Sequence, residues 1–228
     1  TETSESEIVM DSEMHFDDED MSINVTMLPL LDGKKNKLGS MIMMEDISSE
    51  KRVKSTMARY MDPSLADQLV AGGEEMLGGQ SKEATVLFSD IRGFTTLTEE
   101  LGAQGTVQLL NEYFTVMVDC IQAEGGMLDK FIGDAIMAIF GTPFPHEDDE
   151  DRALRCACTM MAELNVFNAD RAAKDKLPVD MGIGVNTGHV VSGNIGSPKR
   201  MDYTVIGDGV NLSARLESAC KQYNAHIL

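Results

Sequence analysis

The segment that decides the fold is MLDKFIGDAIMAIF, which spans residues 127–140. It contains two apolar runs, Met127–Ile132 and Ala135–Phe140, separated only by Gly133 and Asp134. Two short apolar runs around a Gly-Asp pair are typical of a tight β-hairpin. We therefore predict two antiparallel strands here, with Asp134 in the turn between them.

Hydrophobic patterning on either side of this hairpin predicts the rest of one domain. An apolar run at residues 84–88 is typical of a central strand. The further predicted elements are helices at residues 94–100, 105–123, 147–165 and 210–220, and strands at residues 179–186 and 189–194 around a turn at Thr187 and Gly188. This order predicts an α+β fold with a mostly antiparallel sheet, close to the ferredoxin-like plan.

The chain before residue 80 is predicted to be a separate region. Residues 1–20 hold nine carboxylates and no Lys or Arg, so we expect a solvated, disordered acidic segment. Within residues 21–47, two apolar runs at 22–31 and 38–44 predict two strands around a polar turn.

A helical linker is predicted over residues 48–80. Helical spacing continues to about residue 70, with an interruption at Pro63. Glycine pairs at residues 72–73 and 78–79 then mark a boundary, which places the start of the next domain near residue 80.

Composition excludes several classes of partner. The formal net charge of −19 disfavours binding to nucleic acid or to anionic lipid. No apolar run is long enough to predict a membrane span or a secretory signal, so we expect no direct membrane contact. The cysteines form no C-x-x-C pair and are predicted to be reduced structural thiols: Cys120, Cys156, Cys158 and Cys220.

The stretch from Phe88 to Thr95 predicts a phosphate site. A buried strand ends at Asp90, and the chain turns through Gly93 into a helix. The free backbone N–H groups of Gly93, Phe94 and Thr95 would form an anion site, and Asp90 beside them would bind a divalent cation. The alternative is that Asp90 only caps the helix.

Asp134 strengthens this prediction, although Asp is also common in turns that have no function. In a ferredoxin-like sheet the hairpin turn lies beside the end of the first strand. Asp90 and Asp134 would then meet at one edge, as two-metal phosphoryl transfer requires.

One helix face and one acidic run are further candidates for function. Asn211 and Arg215 share one helix face, where Arg215 would stabilise charge on a phosphoryl oxygen or else form a surface ion pair. The acidic run at residues 147–151 fits the N-terminus of a helix better than a metal site.

Several long stretches of this chain resemble one family, the class III nucleotidyl cyclases. The stretches are LFSDIRGFT (87–95), LNEYF (110–114), LDKFIGDAIMAIFG (128–141), GIGVNTGHVVSGNIGS (182–197) and RMDYTVIGDGVNLSARLE (200–217). Their number and order make the signal specific, and the resemblance covers residues 84–228.

The resemblance implies a role for each matching residue. Asp90, Asp134 and the carbonyl of Ile91 match the ligands of two Mg²⁺ or Mn²⁺ ions per site. Asn211 would orient the ribose and Arg215 would stabilise the transition state. In this family the site forms between two subunits, so a homodimer with two sites is expected.

The choice of base is expected to depend on Lys130 and Thr204. Lys130 stands where adenylate cyclases have Lys and guanylate cyclases have Glu, and Lys can donate to N1 of adenine. Thr204 stands at the second base-reading position and is similar to the subclass that bicarbonate often stimulates. The resemblance therefore implies ATP as substrate, with bicarbonate as a candidate activator.

Both ends of the chain add expectations. MLPLLDGKKNKLGSMIMMEDISSEKR (27–52) resembles the end of a PAS sensor domain and its exit. Catalytic domains of the cyclase family continue beyond the Asn-Ala-His-Ile-Leu at residues 224–228, so we expect this chain to be truncated at its C-terminus. A cytoplasmic location is expected from ATP as substrate.

Other functions remained as alternatives. A guanylate cyclase would share the fold and mechanism, but Lys130 argues against it. A non-catalytic module would have lost one of Asp90, Asp134, Asn211 or Arg215, and all four are present. A diguanylate cyclase would need a different sequence in the hairpin turn.

Overall fold

The structure is a computed structural model that describes residues 7–16, 19–34, 36–57 and 79–228. The chain divides into two compact units, Thr1–Val70 and Ala71–Leu228, here called the first and second units. Each unit is described by itself.

The first unit contains a three-stranded antiparallel sheet. Its strands, in the spatial order β1-β2-β3, are β1 (Glu7–Phe16), β2 (Glu19–Leu31) and β3 (Lys37–Asp46). In the turn between β2 and β3, Asp32 accepts hydrogen bonds from the N–H groups of Lys34 and Asn36 at 2.8 Å each. β2 and β3 confirm the predicted strand pair.

The prediction of a disordered acidic segment over residues 1–20 is wrong for β1. Its acids are interspersed with apolar residues such as Ile8, Val9 and Met14, and the backbone pairs with β2. The acids lie at the surface, where Asp11 forms an ion pair with Lys51. Net charge disfavours burial, but it does not prevent an exposed strand from pairing. Residues 1–6 and 17–18 lie outside the described residues.

The linker is described only in part. A helix, α1 (Ser48–Met57), follows β3, and the Ser48 hydroxyl accepts a hydrogen bond from the Ser22 N–H at 2.9 Å. The rest of the predicted linker helix, including Pro63 and most of the glycine-rich boundary, lies outside the described residues.

The second unit has a five-stranded antiparallel sheet with helices. Its strands, in the spatial order β5-β6-β4-β7-β8, are β4 (Gln80–Ile91), β5 (Met127–Ile132), β6 (Ala135–Phe140), β7 (Met181–Ser197) and β8 (Arg200–Ile206). Its helices are α2 (Phe94–Ala123), α3 (Asp149–Ala173) and α4 (Asp208–Tyr223). The predicted α+β, ferredoxin-like fold is confirmed.

The main core lies where α2 and α3 pack on the sheet. Tyr113 and Met117 of α2, Met160 of α3 and Ile136 of β6 are fully buried there. All six residues of β6 are buried, as expected for a strand next to the central one. This core fixes the β5–β6 hairpin against the end of β4.

Two of the differences from the predicted boundaries change how elements are connected. Residues 181–197 form one strand, because Thr187 and Gly188 continue the pairing with Thr85 and Ala84 of β4 instead of turning. The chain reverses after Ser197, and β8 pairs with the far half of β7. The two predicted helices at 94–100 and 105–123 are joined as α2, with a break at Gly102, whose φ is 65°.

Candidate active site

The end of β4 and the β5–β6 turn bring two carboxylates together. Ser89 of β4 lies opposite Ile136 of β6, so this turn lies beside the last residues of β4. Burial, a hydrogen bond with Asp90 and the charge of Asp90 raise the pKa of Asp134 to about 6. The structure therefore places these two aspartates in one site, where two negative charges lie close together.

This carboxylate pair fits a divalent cation. The described residues hold no group of three or more His, Cys, Asp or Glu side chains placed to bind a metal ion. A cation on Asp90 and Asp134 would therefore complete its shell with carbonyl, water or phosphate oxygens, as Mg²⁺ commonly does. The raised pKa of Asp134 is the observation that supports the fit, because burial and the neighbouring Asp90 both disfavour its charge, and a bound cation would offset both effects.

The turn after Asp90 enters α2 without a capping side chain. Gly93 is the N-cap residue, and its φ of 67° lies in the left-handed region that favours glycine. No side chain makes a capping hydrogen bond at this end of α2, and its first turn holds no acidic residue. The interpretation of Asp90 as the helix cap is therefore wrong. The backbone N–H groups of Gly93, Phe94 and Thr95 lie where an anion would bind.

A second buried carboxylate lies between the two predicted base-reading residues. Thr204 of β8 donates a hydrogen bond from Oγ1 to Oδ2 of Asp129 at 2.6 Å. Nζ of Lys130 lies 3.6 Å from Oδ1 of the same Asp129. The structure therefore brings Lys130 and Thr204 to one place, although their strands are the two outermost in the sheet.

Helix α4 presents Asn211 and Arg215 at the surface. Both residues are exposed, and Arg215 Nη2 lies 3.5 Å from Oδ1 of Asp208. Beneath them, α4 lies directly on the backbone of β7. A Cβ at Gly184 would come within 2.1 Å of the carbonyl oxygen of Ser213, so only glycine permits this approach.

A comparison of the sequence with known domain families decides the assignment. The profile of the adenylate and guanylate cyclase catalytic domain matches residues 78–228. The chain belongs to this family. Residues 78–228 are called the cyclase domain below.

Relatives of the cyclase domain include enzymes named for both bases. An adenylate cyclase of Anabaena cylindrica is 40% identical over 158 residues, which cover 68% of this chain and 30% of that protein. The solved guanylyl cyclase Cya2 is 45% identical, with a TM-score of 0.60, and covers 62% of this chain and 72% of that one.

A second solved structure, the adenylyl cyclase CyaB from P. aeruginosa, is 42% identical to this chain. Its TM-score is 0.61, and the match covers 63% of this chain and 74% of that one. The chain spans about a third of the length of the curated bacterial relatives that it matches. Because the similar proteins include both adenylyl and guanylyl cyclases, similarity alone does not decide between ATP and GTP, and only the residues of the site can.

Other predicted features of the cyclase domain have structural explanations. In the acidic run, Asp149 accepts hydrogen bonds from the His146 N–H at 2.7 Å and from Arg152 Nη1 at 3.0 Å. All four cysteines are free thiols, and only Cys158 is exposed. No helix in the described part of the chain is both long and apolar enough to span a membrane.

Sequence reasoning missed Asp129. The residue stands next to Lys130 in a strand whose other four residues are apolar, and an acid at such a position is a signal that it has a specific partner. Its partner Thr204 is 75 positions away in the chain, so the sequence gave no local reason to connect the two.

Proposed function

We propose that this chain is the catalytic part of an adenylate cyclase, which converts ATP to 3′,5′-cyclic AMP and pyrophosphate. The family explains the reaction class, and the remaining question is the base. The observation that carries the proposal is the proximity of Lys130 and Thr204, which both contact Asp129. Lys130 has only donors and would bind N1 of adenine, while the Thr204 oxygen would accept from the N6 amino group.

The phosphate end of ATP would bind beside the aspartate pair. Asp90, Asp134 and the carbonyl of Ile91 are the proposed ligands of two Mg²⁺ or Mn²⁺ ions. When bound, such ions acidify a hydroxyl nucleophile and neutralise phosphate charge. The N–H groups of Gly93, Phe94 and Thr95 would bind phosphate oxygens.

Two residues of α4 are proposed to act on the ribose and on the α-phosphate. Asn211 would orient the ribose so that its 3′-oxygen faces the α-phosphate. The guanidinium of Arg215 would stabilise the negative charge that develops on the α-phosphate oxygens as pyrophosphate leaves. We propose that these two residues, together with Lys130 and Thr204, act on a nucleotide whose phosphates bind to the aspartate pair of a second copy, which makes the active form a homodimer. Their exposure on α4 supports this arrangement.

The proposal extends to regulation and location. Residues 21–47 are proposed to be the end of a PAS-like sensor, with α1 beginning the signalling linker. Bicarbonate is proposed as an activator, and a titration with bicarbonate that leaves the rate unchanged would exclude it. The cytoplasm, which supplies ATP, is the proposed location.

The decisive experiment identifies the cyclic product. The full-length protein is incubated separately with ATP and GTP in the presence of Mn²⁺ over a range of protein concentrations. Cyclic AMP, with a specific activity that rises with protein concentration, is the expected result. An Asp90→Asn variant serves as the inactive control.

A guanylate cyclase is the second candidate, because Cya2 is 45% identical and is named a guanylyl cyclase. Cyclic GMP as the main product would support this candidate and contradict the base assignment. If the protein forms neither product, it is a non-catalytic module despite its intact site residues.

A further inference from the structure

Asp129 occupies an irregular position in its strand. Leu128 pairs with Ala138 and Lys130 with Met137, so Asp129 is the extra residue of a β-bulge. A bulge redirects side chains and is often found beside functional sites. Here the side chain of Asp129 is only 1% exposed, whereas the neighbouring Lys130 side chain is 38% exposed.

The burial of Asp129 is only partly compensated. Oδ2 accepts the hydrogen bond from Thr204, but Oδ1 is buried and has no hydrogen-bond partner among the described residues. The ammonium of Lys130, 3.6 Å from Oδ1, is near enough to attract it but too far for a hydrogen bond. A half-satisfied buried carboxylate costs stability, so its presence calls for a reason other than folding.

The contact with Asp129 determines what Thr204 can offer a ligand. A hydroxyl has one proton and two lone pairs, whereas an ionised carboxylate can only accept. At 2.6 Å the Thr204 proton points at Asp129, so the lone pairs of Oγ1 remain for a ligand. Lys130 beside it has only protons to offer. The pair thus presents one acceptor and one donor, in a fixed order.

We propose that Asp129 is a positioning residue that fixes this hydrogen-bond polarity, so that the site selects a 6-aminopurine over a 6-oxopurine. The inference rests on the proposed function and deepens it. A 6-aminopurine presents a donor at the C6 substituent and an acceptor at N1, which complements Thr204 and Lys130. A 6-oxopurine presents an acceptor and a donor at the same positions, so both contacts would be mismatched.

Asp129→Asn is the direct test. The amide group of Asn can donate to Thr204, which frees the hydroxyl proton to turn toward an oxo group. It also removes the negative charge that attracts Lys130. We expect the ratio of kcat/KM for ATP to kcat/KM for GTP to fall about tenfold or more, mainly through KM, because Asp129 touches neither phosphate nor metal.

A double-mutant cycle shows whether Asp129 acts through Thr204. Thr204→Val removes the hydroxyl, and we expect it to lower the ATP:GTP ratio by a similar factor. The combined variant should be no worse than Thr204→Val alone, since the second change has nothing left to act on. Additive losses would overturn the inference. Thr204→Ser keeps the hydroxyl and should keep the ratio.

The matched control removes another hydroxyl pair from the same sheet. Thr85 Oγ1 and Thr187 Oγ1 lie 2.8 Å apart, between β4 and β7. The double change Thr85→Val with Thr187→Val deletes both partners and should leave the ATP:GTP ratio unchanged. Thermal unfolding of every variant shows whether it is folded. If Asp129→Asn does not fold, the Val and Ser variants at Thr204 decide the question.

The outcomes separate the inference from the proposed function. If the wild-type protein shows no preference for ATP, the proposed function fails. If it prefers ATP and folded Asp129→Asn has the same ratio, the inference alone fails. If Thr204→Val retains the wild-type ratio, the inference fails as well, because the polarity of that hydroxyl then has no effect.

Discussion

Two carboxylate sites lie near opposite ends of β5 and differ in what balances their charge. At the far end, burial and the neighbouring acid Asp90 raise the pKa of Asp134, and the two carboxylates are proposed to share a cation. Near the start, Asp129 is enclosed and faces Thr204 and Lys130 of the same chain. The comparison sets an acid that is proposed to bind a cation against an acid that is proposed to orient the residues that read the base.

The largest effect is expected at the Asp90–Asp134 pair, which is proposed to bind the cations. Asp134→Asn or Asp90→Asn should lower the rate of cyclic nucleotide formation about 10³-fold or more, because each removes a proposed metal ligand whose contribution is several kcal/mol. The rate with saturating Mn²⁺ is the measurement. The paired change at Thr85 and Thr187 is the control, and near-normal activity of either Asn variant would contradict the metal assignment.

The response to divalent cations should separate the two sites next. Mn²⁺ is expected to raise the unfolding temperature of the wild-type protein, since it binds only the folded state. Asp129→Asn should keep this response, and Asp134→Asn should lose most of it. Calorimetry without nucleotide measures the shift. An equal response from both variants would mean that the cation binds elsewhere.

The pH dependence of stability should reveal the repulsion at Asp134. Its pKa is about 6 in the folded protein, above the usual Asp value, so the folded state binds the proton more tightly than the unfolded state. The associated stability is present at about pH 4 and is lost as the pH rises through about 6. Without metal, Asp134→Asn should therefore be more stable than wild type at pH 8, by about 1 to 2 kcal/mol after a discount for solvent screening, and the difference should vanish below about pH 4.

Denaturant unfolding in the presence of a chelator measures this difference. Asp119→Asn, which changes an exposed carboxylate on α2, is the matched control and should not alter the pH profile. If Asp134→Asn and the wild-type protein have parallel profiles, neither burial nor Asp90 perturbs the Asp134 carboxyl in solution.

The smallest effect on stability is expected for a surface ion-pair network centred on Arg155. Arg155 bonds to Glu124 and Asp148 at 3.1 Å each, in exposed ion pairs. Arg155→Ala should change the free energy of unfolding by about 0.5 kcal/mol and leave the ATP:GTP ratio unchanged. A loss of several kcal/mol, measured in denaturant, would show that surface acids matter as much as the two sites on β5.

Local pattern was enough to predict one of these two sites. The β5–β6 hairpin was predicted with the bounds that the structure has, because a Gly-Asp pair between two apolar runs leaves little choice. Once the hairpin was known, the antiparallel sheet placed Asp134 beside Asp90. The roles of Asn211 and Arg215 came from family resemblance and stay predictions.

The other site depends on contacts that no local pattern contains. Thr187 and Gly188 were read as a turn, but the pairing of Thr187 with Thr85 across the sheet extends β7 through them. Because of that error, strand β8 was not predicted, and β8 contains Thr204, which hydrogen-bonds to Asp129. Similarly, β1 was not predicted, because the acidic composition of residues 1–20 indicates exposed side chains but says nothing about backbone pairing.

The close contact between α4 and β7 at Gly184 affects how this domain tolerates evolutionary change. At Gly184 the helix rests on bare backbone, so main-chain atoms set how closely α4 approaches β7 at that point. A larger residue at position 184 would push α4 outward and move Asn211 and Arg215 with it. We therefore expect evolutionary change at this position to be restricted to glycine, whereas Cys220 on the same face of α4 contacts β7 through its side chain.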